Sequence, residues 1–323
     1  MIKGITAFKN KSISLIILIS LIVWAGIYVK NHIDEFGIIF SLSLEYLGVL
    51  LFLSLLEIFL VGLFTKIITG SFGITLKSKE WFGLSVVTSL ANYLLPFKGG
   101  AGLRGIYLRR YHDFPYTYFL TALVAVSIIV FFVNSSIGVA GMCLVYAYYK
   151  IFNWIVFGVL GIFFLLFLAI IIFSPKVPSF RSNFLNQISN AINTWHEVKK
   201  STSVVFKILL VALLHAFFNI LIIFFAFRSF SLNISLTQTM IIASLSILSM
   251  LIGMTPGSLG INEAIIVFSS RLFQITTAQG LLVATLRRIV TLFWVFTLGP
   301  IFSYILISRR GQNKDLKPWS FRS

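Results

Sequence analysis

Residues 91–110 read ANYLLPFKGGAGLRGIYLRR, a stretch in which Pro96, Gly99, Gly100 and Gly102 interrupt a chain otherwise apolar enough for hydrocarbon. Lys98, Arg104, Arg109 and Arg110 accompany the interruption. An N–H or C=O left unpaired in lipid costs several kcal/mol, so backbone broken at membrane depth has to be enclosed by other helices or line a wet cavity. Free N–H groups where a helix opens, expected at Gly102, favour an anion. The stretch therefore reads as a headgroup site, with Asn92, Lys98, Arg104 and Arg109 as candidate ligands.

Working outward, Trp81 to Leu95 is apolar but short of the roughly 20 residues a crossing needs. Lys77 and Lys79 precede it and the arginine cluster follows, so the simplest topology is a re-entrant hairpin that enters and leaves on the cytoplasmic side. A second break, TPGSLGINEAIIVF, spans Thr255 to Phe268, where Pro256, Gly257 and Gly260 lead to Glu263 much as the first break leads to Arg104. Paired interrupted segments in the two halves of a chain point to a transporter-type site built on an inverted repeat. Only Arg228 and Arg271 flank this second break, so it is expected to open outward.

The class follows from composition. With 58% hydrophobic and 11% charged residues in 323, and a mean hydropathy of +0.99, the chain is no ordinary soluble domain. The expected fold is an all-α polytopic membrane protein with six full spans and two oppositely facing re-entrant hairpins, in a single domain over 1–323. The spans are expected at Ser12–Val29, Tyr46–Ile68, Phe114–Gly141, Asn153–Phe173, Val204–Phe227 and Ala278–Ile307. Residues 174–203, with Ile188, Ile192 and Trp195 on one helical face, form a cytoplasmic amphipathic connection, and 309–323 form a basic cytoplasmic tail.

Most of the 26 Lys and Arg residues then fall on the cytoplasmic side, leaving Lys30, Lys150, Arg228 and Arg271 outside. That excess places both termini inside, with a bacterial inner membrane as the expected location. The net charge of +17 reports topology and anionic lipid here, not nucleic acid. The lone Cys143 excludes an intrachain disulfide. His32, His112, His196 and His215 lack metal-ligand spacing, so neither metal nor cofactor is expected.

Charges inside spans are expensive and ask for partners. Glu57 lies near the middle of one span, where it reads either as a buried hydrogen-bonded contact or as a functional acid. Arg287 and Arg288 lie about ten residues into the last span, about 15 Å at helical rise and close to the midplane. Glu263 and Arg288 are expected to pair, either as a gate that opens for cargo or as a lock between the halves. Arg287, about 100° round the helix, is assigned to Glu57.

Both breaks carry a family resemblance. NYLLPFKGGAGLR resembles an N-x-L-L-P-x-R-x-G-E-x-x-R motif, and TPGSLGINEA a P-G-G-L-G-x-x-E motif, of the flippase-like membrane family that includes the transmembrane region of lysylphosphatidylglycerol synthases. ATLRRIVTLFWVFTLG is similar to that family's late helix. The resemblance implies site positions at Asn92, Pro96, Lys98, Gly100, Arg104, Pro256, Gly257, Gly260, Glu263 and Arg288. Two positions depart from it. Lys98 replaces an arginine and lacks its planar fork, and Ala101 stands where the family generally has glutamate, which removes a charge partner. The chain runs only a short way past the last span, so the expectation is the translocating half without a soluble aminoacyl-transfer domain.

No G-x-S-x-G, G-x-x-x-x-G-K-[ST] or H-E-x-x-H occurs, so a non-enzymatic role is expected. The leading expectation is movement of a polar anionic lipid between leaflets, either an aminoacyl-phospholipid or a polyprenyl-phosphate-linked glycan. The alternatives are a membrane-embedded lipid-dependent transferase and a non-catalytic partner of a lipid-synthesising or glycan-assembly enzyme.

Overall fold

The computed structural model describes residues 43–95, 99–173, 199, 201–251 and 256–308. In chain order the helices are α1 (Leu44–Ser71), α2 (Ser78–Leu94), α3 (Gly99–His112), α4 (Tyr116–Tyr149), α5 (Trp154–Phe173), α6 (Thr202–Ser229), α7 (Leu236–Leu248), α8 (Ile261–Ser270) and α9 (Thr277–Ser308). Five of them, α1, α4, α5, α6 and α9, are long and apolar enough to cross a membrane. The protein is a polytopic helical membrane protein. The expected span at 12–29, most of the connection at 174–203, the tail at 309–323, and Pro96 and Lys98 lie outside the described residues.

Local chemistry sets the helix ends. Leu95 is extended (φ −114°, ψ 141°) because the ring of the following proline disfavours the helical region, and α2 stops there. Pro115, which has no N–H to leave unpaired, sits immediately before α4. Ser235 opens α7 with a capping box in which its Oγ accepts from the Gln238 N–H at 3.2 Å, while Gln238 Oε1 accepts from the Ser235 N–H at 2.9 Å. Lys199 Nζ donates to the Ile171 and Ile172 carbonyls at the end of α5.

Two boundaries differ from expectation. The third span does not end at Gly141 but runs on to Tyr149, because that glycine is a packing contact and not a terminator: a Cβ there would lie 3.0 Å from Met240. Lys150 is then the left-handed residue that closes α4 (φ 59°) and opens the short connection 150–153 to α5. Likewise α3 opens at Gly99, earlier than Gly102.

The described chain repeats an order of long helix, short helix, break, short helix, long helix. The first set, α1 to α4, has 28, 17, 14 and 34 residues, and the second, α6 to α9, has 28, 13, 10 and 32. Packing follows the same correspondence: α1 lies on α6, α2 on α9, and α7 on α4. The leading helix of each hairpin thus rests on the long helix that ends the other half.

The two hairpins start at opposite ends of the bundle. Phe72, after α1, packs on Phe114 and Tyr118 at the start of α4, with both ring centroids 5.5 Å away. Trp81 and Leu84 at the start of α2 share a buried cluster with Phe114 and Phe119. At the far end of α4, which spans about 51 Å, Gly141 abuts Thr237 and Met240 in the first turns of α7. The outer surface is apolar, and α5 alone exposes Trp154, Ile155, Ile162, Leu165 and Phe173. Lipid covers such a face without penalty.

Single cysteines at the exposed turn residues Asp113 and Asn233, introduced into a Cys143→Ala background, test the opposed ends. In intact cells a membrane-impermeant maleimide is expected to label one and not the other, with both labelled after permeabilisation. Labelling of both from one side contradicts the arrangement.

Candidate functional site

At the first break the chain reverses tightly. The Gly100 N–H donates to Asn92 Oδ1 at 3.0 Å, and a Cβ at Gly100 would sit 2.0 Å from the Thr88 carbonyl oxygen, so only glycine fits. Asn92 therefore uses its carbonyl to tie the two sides of the break together. One helical turn on, Arg104 points back between α2 and α1. Its Nε donates to Thr88 Oγ1 at 3.1 Å and Nη1 donates to Thr65 Oγ1 at 2.8 Å. Among the described residues no carboxylate pairs with Arg104. A cavity of about 100 Å³ adjoins it, walled by Phe64, Ile68, Leu108, Phe119 and Val126 with Thr65 and Ser127 as polar edges.

Arg109 lies apart from that cavity. It is exposed, with its guanidinium 4.8 Å from the Tyr116 ring centroid, so the structure does not bring it to Arg104.

The second break meets the first through Tyr93. Gly257 has a left-handed backbone (φ 58°, ψ 21°), and a Cβ there would lie 2.5 Å from Tyr93 Cδ1. Gly260 (φ 81°) then turns the chain into α8, where Glu263 Oε2 accepts from the Gly260 N–H at 2.8 Å. The other carboxylate oxygen, Oε1, accepts from both Nε and Nη2 of Arg288. The Arg288 guanidinium lies 5.8 Å from the Tyr93 ring centroid, and among the described residues its Nη1 is buried without an acceptor. The ion pair thus borders both breaks and holds one spare donor.

Arg287 does not meet Glu57. Its Nη1 donates to Ser246 Oγ at 2.6 Å and to Asn262 Oδ1 at 3.3 Å, and Nη2 donates to Asn219 Oδ1 at 2.6 Å. Because α1 packs directly on α6, Glu57 faces His215 instead, with Oε1 3.6 Å from Nε2. Neutral oxygens from three helices thus serve Arg287, and the acid is left to an imidazole. Among the described residues no group of three or more His, Cys, Asp or Glu is placed to hold a metal.

The family described as lysylphosphatidylglycerol synthase TM region matches residues 11–299, which include both breaks and most of the last helix. The chain belongs to this family. Comparison with curated proteins and with solved structures returns no significant match. Within this family member, the match covers Asn92, Arg104, Glu263 and Arg288 alike.

Sequence reasoning missed several partners. Thr65 and Thr88 carry no signal, because threonine on an apolar helix ordinarily bonds its own backbone. Asn262 stands beside Glu263 in the second motif, and Asn219 is a polar residue within an apolar stretch with no motif around it. A further cluster closes the base of the first hairpin: Glu80 Oε1 lies 2.6 Å from His112 Nε2 and accepts from the Tyr107 hydroxyl at 2.8 Å, while Oε2 accepts from the Lys77 N–H at 3.4 Å. Burial raises the Glu80 carboxyl, and the His112 hydrogen bond and charge, with the Tyr107 and Lys77 bonds, outweigh it and hold the group below its ordinary 4.5.

Glu80 thus contributes stability that is complete above pH 4.5 and is lost as pH falls through its lower folded-state value. Thermal melts of wild type and Glu80→Gln are expected to differ near neutrality and to converge in acid. A constant difference across that range contradicts the assignment. For this pair, Glu263→Met strands the buried Arg288 and is expected to cost about 3–5 kcal/mol, while Glu263→Met with Arg288→Met recovers most of the loss. Chemical or thermal unfolding in lipid nanodiscs measures both, and additive losses contradict direct pairing.

Proposed function

We propose that this membrane protein moves a polar anionic lipid between leaflets, with Arg104 as the phosphate-binding group of the first hairpin. The supporting observation is a guanidinium with two donors on threonine hydroxyls, no carboxylate partner, and an apolar-walled cavity of about 100 Å³ beside it. A cation left so at membrane depth is costly unless an anion visits, and a lipid phosphate supplies the charge while the acyl chains stay in hydrocarbon. Lys98 adds a second cation next to the same break.

In this reading the Glu263–Arg288 pair is the gate. The spare Arg288 donor attracts an incoming anion, which competes with Glu263 for the guanidinium and loosens the contact between the two breaks. The cargo class is an aminoacyl-phospholipid or a polyprenyl-phosphate-linked glycan, and the protein acts as a carrier without catalytic residues. We place it in a bacterial plasma membrane with both termini cytoplasmic, beside an enzyme that makes its lipid. The family name favours one further reading, in which the chain serves such an enzyme as a non-catalytic companion.

Leaflet-specific labelling of lipid in reconstituted vesicles tests the carrier reading. Loss of one charge-assisted contact, about 1.5–3 kcal/mol, predicts translocation about 10- to 100-fold slower for Arg104→Ala and for Glu263→Gln. Equal rates for wild type and both variants count decisively against it.

A further inference from the structure

The carrier reading leaves Glu57 and His215 unused, although both lie in the interior. Each lies at the midpoint of a 28-residue helix, Glu57 in α1 and His215 in α6, and these are the corresponding helices of the two halves. The two side chains therefore meet at the centre of the bundle. Among the described residues neither finds a further partner: Glu57 accepts no hydrogen bond and faces His215 at 3.6 Å, and His215 Nδ1 is buried without a partner. An acid and an imidazole 3.6 Å apart in a low-dielectric interior make a site whose net charge changes with the gain or loss of one proton.

The neighbours restrict what that charge can act on. Helices α4 and α7, which also pack on α6, carry no Asp, Glu, Lys, Arg or His, and Phe64 covers one side of the imidazole, with ring centroids 6.2 Å apart. From α1 the charged group facing His215 is Glu57, and from α9 it is Arg287. Arg287 hangs on Asn219, one turn beyond His215 on α6, and on Asn262, the residue before Glu263.

We propose that Glu57 and His215 form a proton-binding site and that its occupancy sets the position of Arg287. With the proton bound, the pair is neutral overall and Arg287 rests on Asn219, Ser246 and Asn262, as in this structure. When the proton leaves to water, the pair carries one negative charge and draws the guanidinium toward Glu57, off Asn262. That movement occurs on the turn of α9 that holds Arg288 and at the opening turn of α8 that holds Glu263. Proton release and the loosening of the gate are thereby linked, and linkage makes the effect reciprocal. The coupling to lipid movement rests on the carrier reading, whereas the proton site does not.

The test uses the full chain in liposomes of phosphatidylethanolamine and phosphatidylglycerol. Infrared difference spectra across a pH titration, with nitrogen NMR of labelled histidine, are expected to show one carboxyl and one imidazole changing together. Glu57→Gln removes the carboxyl change, His215→Gln displaces it, and Glu80→Gln leaves it in place. A carboxyl spectrum of Glu57→Gln identical to wild type at every pH overturns the proton site, whether or not lipid moves. In the second arm, a one-unit pH gradient is imposed and labelled phosphatidylglycerol is followed between leaflets. Coupling of one proton drives asymmetry toward about tenfold in wild type and none in Glu57→Gln. Movement that ignores the gradient in wild type overturns the coupling, and a titrating pair without any lipid movement supports the proton site while overturning the carrier reading.

Discussion

Hydrocarbon offers nothing to a guanidinium, and the arrangement of this bundle follows from where Arg104, Arg287 and Arg288 find acceptors. Each solution differs. Arg288 takes a carboxylate, Arg287 takes two amide oxygens and a hydroxyl, and Arg104 takes two hydroxyls alone. The charge balance is therefore settled at Arg288, deferred at Arg287 and left open at Arg104. Among the described residues Arg104 is thus held by neutral oxygens, with no carboxylate beside it.

The backbone breaks depend on the same constraint. A proline or glycine interruption frees carbonyl and amide groups that lipid cannot serve, so these groups need partners within the protein. Asn92 closes the first by accepting from the Gly100 N–H, and Glu263 closes the second by accepting from the Gly260 N–H. Glu263 thus has two duties, capping a helix and neutralising Arg288. Gly257 lies against Tyr93, so the second break touches the helix that leads into the first. The exchanged packing of the halves, α2 on α9 and α7 on α4, ties the hairpins to the long helices that enclose them.

The Glu80, Tyr107 and His112 cluster has a different task. It clamps the start of α2 to the end of α3, so the first hairpin is held shut at its base while its tip carries the break. The family assignment adds context to this architecture, since the match spans both hairpins.

Composition and punctuation by themselves determined that the chain is a helical membrane protein, that two Pro/Gly breaks occupy corresponding places, and that Glu263 and Arg288 deserve a partner. These are legible because helix length, hydropathy and the energetic cost of bare charge are properties of local sequence. The partners of Arg287 and Glu57 were decided only by the tertiary structure. A guanidinium on one helix can reach any acceptor within its long side chain's sweep, and the winner depends on how α1, α6 and α9 are rotated against one another. No periodicity in a uniformly apolar helix records that rotation, because every face is fit for burial. Thr65 and Thr88 became ligands of Arg104 for the same reason, through the packing of three helices and not through any motif of their own.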